Sequence, residues 1–166
     1  MKSLSLAEIL IVIGGVSFFL VGSYSVFNIF LKANEDLNQK VTAMYLGVEG
    51  AEIVRQIRDT SFLENEEFDQ EFLGKFDKPL VPIRSGETWD LIDSSTNPSL
   101  KKVYLTNEGF LQRSDTSPPP DWKETQFKRW IEISKVSDDE IKVQVFVVYG
   151  SKTYSFIEDH LYDWRK

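Results

Sequence analysis

Few residues in this chain have the types and spacing that chemistry requires. His160 is the only histidine, and it stands beside Asp159. Nucleophilic catalysis of the serine–histidine–aspartate kind needs a histidine placed by two partners. A transition-metal site needs further His or Cys ligands, and the chain has no cysteine and no second histidine. Asp138, Asp139 and Glu140 form one acidic group, and Glu158, Asp159 and Asp163 another. Such oxygens suit calcium, but their spacing matches no calcium loop, so they read as polar turns. The remaining candidate is Glu8, which precedes a run without charge from Ile9 to Leu31. A carboxylate at the start of an apolar helix is costly unless it has a partner, which makes it a functional residue by default. No phosphate-binding glycine loop follows a strand; Gly14 and Gly15 lie inside the apolar run, where they permit close helix approach. The sequence therefore predicts no cofactor and no enzymatic activity.

The element that must carry Glu8 is a long helix. Residues 4–31 suffice to span a bilayer, which takes about 20 apolar residues. No proline occurs before Pro79, and the helical pattern continues from about Leu6 to Asp59. A helix of about 54 residues would be about 80 Å long. One small domain cannot bury that length, so its first half must meet lipid or other subunits. Two simpler readings of the segment are a secretory signal, with Gly22, Ser23, Tyr24 and Ser25 as a small-residue cleavage site, and an ordinary signal anchor. The apolar run continues through Val26, Phe27, Ile29, Phe30 and Leu31, which speaks against the first.

The order of these features resembles the N-terminal signature of type IV pilins and pseudopilins. A short basic leader, Met1-Lys2-Ser3, precedes an apolar residue, Leu4, and Glu8 follows four positions later. The resemblance implies cleavage by a prepilin peptidase between Ser3 and Leu4, with methylation of the new amine. It implies that Glu8 is the family's assembly glutamate. Ser3 stands where the family has Gly, Leu4 where it has Phe, and Ser25 where many major pilins have a kinking Pro. The last implies a straighter helix or a minor subunit. Some pseudopilins also carry calcium near C-terminal loops. The implied partners are sibling pilin or pseudopilin subunits, the peptidase, an assembly platform protein with its ATPase, and the membrane.

The second half of the helix carries two apolar stripes. Leu37, Val41, Met44, Tyr45, Val48 and Ala51 form one, and Ala43, Leu46, Gly50, Ile53, Val54 and Ile57 the other, each at helical spacing. The second is expected to pack on the protein's own sheet, and the first to face neighbouring subunits. Glu52–Arg55 and Arg55–Asp59 are expected to pair along the surface. Residues 60–82 read as a surface connection with short helical turns held by Phe62, Phe68, Phe72 and Phe76. Loop residues at 85–86 and 94–98 flank Trp89-Asp90-Leu91-Ile92. Residues 101–105 and 110–113 form a hairpin with Gly109 at its turn, and the proline-rich residues 117–121 a linker. The last forty residues read as a three-strand meander, turning at 137–139 and at Gly150-Ser151, with His160 to Trp164 closing the chain.

The expected fold is thus α+β: a long N-terminal helix packed on a C-terminal antiparallel sheet. Its parts are a leader at 1–3, a transmembrane and filament-core half at 4–31, an amphipathic half at 32–60, and an extracytoplasmic loop region and sheet domain at 61–166. A net charge of −7 without a basic patch excludes a nucleic-acid partner. The reading is a structural subunit, a minor pilin or pseudopilin, anchored in the cytoplasmic membrane before assembly and on the cell surface afterwards. The alternative is a single-pass membrane protein whose extracytoplasmic domain senses or binds and does not polymerise.

Overall fold

The computed structural model describes residues 5–64, 67–86, 88–107, 109–112 and 121–164. Helix α1 spans Leu6–Leu63 without interruption, one turn beyond the expected end. The chain divides into two compact units, the first ending at Asn38 and the second beginning at Gln39. In the first unit the large apolar side chains from Leu6 to Leu31 are exposed. This is the one helix, among the described residues, long and apolar enough to cross a membrane.

In the second unit α1 packs against an antiparallel sheet, which makes the fold α+β. The strands are β1 (Leu80–Ser85), β2 (Thr88–Asp93), β3 (Lys102–Thr106), β4 (Gly109–Leu111), β5 (Lys123–Ser137), β6 (Glu140–Tyr149) and β7 (Lys152–Tyr162). Strand β5 organises them. One of its edges pairs with β6 from Phe127↔Tyr149 to Ser137↔Glu140, and β6 pairs onward with β7. Its other edge is shared end to end by two hairpins. The β3–β4 hairpin takes the first part, with Lys102↔Lys128 and Leu105↔Lys123. The β1–β2 hairpin takes the second, at Leu80↔Ile131.

Turn chemistry explains the hairpins that were expected. Gly150, at φ 60°, opens the two-residue connection between Tyr149 and Lys152. Gly109, at φ 117°, closes the pair with Thr106. Both angles lie where a Cβ is strained. Strand β7 runs on past Glu158 to Tyr162, so His160 lies in the sheet and not in a closing segment. The expected linker at 117–121 and Arg113 fall outside the described residues, except for Asp121.

The stretch from Thr60 to Pro82 follows expectation in its short helical turn, at Gln70–Phe72, and in its aromatic anchors Phe62, Phe68 and Phe72, which lie in the core. It departs from expectation at both ends: α1 runs on to Leu63, and Leu80 already belongs to β1. The segment flanked by loop residues, Trp89 to Ile92, is the body of β2. Pro82 is tolerated inside β1 because β1 pairs with β5 only at Leu80, so no rung of that pairing is asked of Pro82.

The two helix faces separate as the stripes foretold. Ala43, Leu46, Ile53 and Val54 are buried, while Leu37, Val41, Met44, Tyr45 and Val48 are exposed. Ala51 corrects the assignment: it was placed on the outer stripe but lies in the core against the sheet. One core cluster joins Ala51 and Val54 to Ile131, Ile133, Val143 and Val145; another joins Ala43 and Leu46 to Val103, Phe127 and Val147. The helix sits close. A Cβ on Gly47 would come within 2.7 Å of Ser155 Oγ, and one on Gly50 within 2.8 Å of Val145 Cγ1.

The opposite face of the sheet carries an aromatic row. There Trp130 and Phe146 stack with centroids 5.1 Å apart, and Phe156 continues the row at 5.1 Å from Phe146. Lys101 Nζ covers the Trp130 ring at 4.6 Å. The row shields its own apolar surface across three strands.

Leu46→Asp places an unpaired charge in the core and should abolish cooperative folding. Val41→Asp, on the exposed face, should shift stability by no more than about 0.5 kcal/mol. Thermal unfolding followed by circular dichroism checks both, and equal damage would mean the faces are misassigned.

Candidate functional site

Glu8 lies in the first turn of α1, and the structure gives it a partner within its own chain. The Ser5 backbone N–H donates to Glu8 Oε2 at 2.7 Å, and the Glu8 N–H donates to Ser5 Oγ at 3.3 Å. This is a reciprocal capping box: it gives the Ser5 amide an acceptor and the Glu8 amide a second one, beside the Ser5 carbonyl at 3.1 Å. A carboxylate there also faces the positive end of the helix dipole. The Ser5-to-Glu8 spacing is that of a capping box and is legible in the sequence. Ser3 and Leu4, the expected processing residues, lie outside the described residues.

Further along the apolar half, polar side chains turn back on the helix. Ser25 Oγ donates to the Val21 carbonyl at 3.1 Å, and Asn28 Nδ2 to the Tyr24 carbonyl at 2.9 Å. Such bonds let polar residues sit in an apolar stretch. A Cβ on Gly14, Gly15 or Gly22 would meet nothing within 4 Å.

The least expected constellation lies where α1 meets the sheet. Arg129 occupies an inward position of β5, between Phe127 and Ile131, and is fully buried. Its Nη1 donates to the Leu46 carbonyl at 3.1 Å and to Glu49 Oε2 at 2.6 Å, and its Nε donates to Gln112 Oε1 at 2.9 Å. Burial pushes the guanidinium pKa down and the Glu49 carboxylate opposes it; an arginine stays charged regardless. Nη2 has no hydrogen-bond partner among the described residues. Gln112 is itself buried and donates to the carbonyls of Arg129, Lys101 and Leu100 at 2.8, 3.0 and 3.3 Å. It thus bridges the gap on the β5 edge between the two hairpins. Period-two alternation along β5 is the sequence signal that places Arg129 on the inward face.

The expected surface pairs are partly redrawn. Arg55 pairs with Glu52, as anticipated, but its second partner is Asp159 of β7, at 2.8 Å from Nη2. Asp59 is held by Arg58 at 2.8 Å. The half-buried Asp159 gives Arg55 a better-shielded partner than an exposed i+4 carboxylate would. His160 Nδ1 lies 2.6 Å from Glu140 Oε1, and a hydrogen bond with Glu140 also raises the Tyr162 phenol pKa. Among the described residues no group of three or more His, Cys, Asp or Glu is placed to hold a metal ion. The acidic residues at 138–140 and 158–159 instead meet Lys135, His160, Gln144 and Arg55.

No known family model matches this chain, and comparison with curated proteins and with solved structures likewise finds no match.

Two outcomes follow from these geometries. Glu8→Gln keeps an oxygen for the Ser5 amide, whereas Glu8→Leu removes it, at a cost of about 1 kcal/mol to the helix start. Amide exchange of the full chain in micelles should show Ser5 protection retained in the first variant and lost in the second. Gln112→Leu strands the Arg129 Nε and the Arg129 carbonyl, and should destabilise the second unit by about 2–3 kcal/mol in urea melts. Combined with Arg129→Met it should cost less than the sum of the two, because both belong to one network.

Proposed function

We propose that this chain is a structural subunit, a minor pilin or pseudopilin, of a type IV pilus-like filament, anchored in the cytoplasmic membrane until it assembles. The observation that carries this reading is the single helix, Leu6–Leu63. Its uncharged apolar part, from Ile9 to Leu31, follows Glu8 directly, and its later part is half covered by an antiparallel sheet. The exposed row of Leu37, Val41, Met44, Tyr45 and Val48 supports it. Isolated exposed apolar residues are ordinary, but a row at helical spacing marks a contact surface. Heterologous contacts that do not close on themselves build helical filaments.

In this reading the apolar half is lipid-bound first and protein-bound later. Glu8 would then leave the aqueous interface for a dry filament core. Cleavage before Leu4 would supply an α-ammonium, and offset subunits would let the amine of one meet the Glu8 of the next. The capping box leaves that pairing intact, since a carboxylate has acceptor sites beyond the one Ser5 takes. Sibling subunits, the prepilin peptidase and the platform with its ATPase are the partners this function requires.

Mass spectrometry of the mature N-terminus tests the proposal. A chain beginning at a methylated Leu4 is expected, and an intact Met1 in cells that carry the peptidase would leave an anchored, non-polymerising binding domain as the better reading. Val41→Asp and Glu8→Leu should insert and fold normally yet be depleted several-fold from sheared filaments. Normal recovery of Glu8→Leu would reduce Glu8 to its capping role.

A further inference from the structure

Strand β7 forms an outer edge of the sheet. Among the described residues it pairs with β6 and with no other strand. A bulge between Thr153 and Ser155 and the charge of Lys152 blunt its start. From Ser155 to Tyr162 the register with β6 is unbroken. In a strand paired on one side, every second residue turns its N–H and C=O away from the partner. Among the described residues, no backbone hydrogen bond outside the β6 ladder involves residues 155–162. Sheets guard their edges with short strands, lysines, prolines and bulges. The other outer strands are short: β2 has six residues and β4 three. Residues 155–162 have no lysine, no proline and no bulge. Their inward charge, Asp159, is neutralised by Arg55 at 2.8 Å.

Two cross-strand rows also stop at this edge. In one, Trp130, Phe146 and Phe156 lie directly opposite one another. The last ring, Phe156, is 51% exposed. In the next, Glu132, Gln144 and Glu158 are opposite. Gln144 Nε2 donates to Glu158 Oε2 at 2.7 Å, and the Glu158 carboxylate stays exposed at the end of its row. A further strand would set one side chain beside Phe156 and another beside Glu158, since directly opposite residues are close neighbours.

We propose that the β7 edge accepts an extended segment of a partner polypeptide as a further strand. That segment has an aromatic or apolar residue opposite Phe156 and, two positions along, Lys or Arg opposite Glu158. The free backbone groups specify a polypeptide, because another extended backbone presents donors and acceptors at their repeat. Glu158 specifies a basic one. A second copy is disfavoured: its β2 edge carries Asp90 and Asp93 and its β7 edge Glu158, and like charges directly opposite are destabilising. The site would function whether or not the chain polymerises, so it stands apart from the assembly reading.

The test is amide hydrogen exchange by NMR of the full chain in nanodiscs. The probe is a capped Thr-Phe-Thr-Lys-Thr-Phe-Thr peptide, whose side-chain order is the same in either strand direction. At saturation it should slow every second amide between Ser155 and Tyr162 by about tenfold, with other amides unchanged. The same peptide N-methylated throughout should protect none of them. Phe156→Lys guards the edge and should abolish the protection with an otherwise unchanged amide spectrum. Glu158→Lys should weaken the lysine peptide about threefold and strengthen its glutamate counterpart by a similar factor, as an exposed ion pair would. The proposal is overturned if the lysine peptide leaves these amides unprotected, if the N-methylated peptide protects them equally, or if Phe156→Lys or the charge exchange changes nothing. Protection of the same amides by raised protein concentration alone would identify a second copy as the occupant and overturn it too.

Discussion

The close approach of helix to sheet is the constraint on which the second unit depends. Gly47 and Gly50 remove two side chains from the contact, and the space is taken by Ser155, Ile157 and Val145 from the sheet. At that distance the Leu46 carbonyl, already part of the helix ladder, comes within reach of a strand side chain. Arg129 is long enough to reach it and Glu49 together. A larger residue at either glycine would push the helix outward and leave that guanidinium buried without its partners. Packing and polar satisfaction are therefore one problem here, solved at one place. Glu49 is half-exposed, but the guanidinium it meets is fully buried, and an arrangement that broke the pair would strand that charge. Arg129 accordingly reads as a device that fixes where along the sheet the helix may sit.

The same residue links the helix to the less regular edge of the sheet. Strand β5 has a continuous partner on one side and two abutting hairpins on the other. Where the hairpins meet, a backbone carbonyl would be left without a rung. Gln112 supplies the missing donor from its side chain and accepts from Arg129 in return. The helix, the central strand and the junction of two hairpins thus share one hydrogen-bonded network, and a fault in any of the three is felt by the others.

How much of this could be read from the residues alone depended on whether the signal was local. The helix was legible because nothing between Leu6 and Leu63 interrupts it, and its buried face because Leu46, Ile53 and Val54 recur at helical spacing. The hairpins at Gly109 and Gly150 were legible because glycine marks the positive φ each turn needs. Strand β1 was not, because Pro79, Pro82 and the acidic residues before them resemble a loop. Only the paired β2 and the sparse contact with β5 make it a strand. Arg55 was given Asp59, its neighbour along the helix, because nothing local reveals Asp159, 104 positions away. Arg129 was passed over because a charge is assumed to face water until a partner is seen. The Ser5–Glu8 cap is different: its serine-to-glutamate spacing is local and legible in the residues alone.

The back-turned bonds of Ser25 and Asn28 carry a consequence for how the apolar half meets its neighbours. Each spends a polar donor on its own helix, and residues 9–31 carry no charge. Lateral association of this segment would rest mainly on shape and dispersion, with the hydroxyls of Ser17, Ser23 and Tyr24 as its remaining polar groups. Contacts of that kind have little directional preference. In a bundle, residues 9–31 would turn or slip against one another with few discrete bonds to break, so a fixed axial register would fall to Glu8 and to the second unit. Stiffness along the axis would come from the helix itself, and compliance from the surfaces between helices.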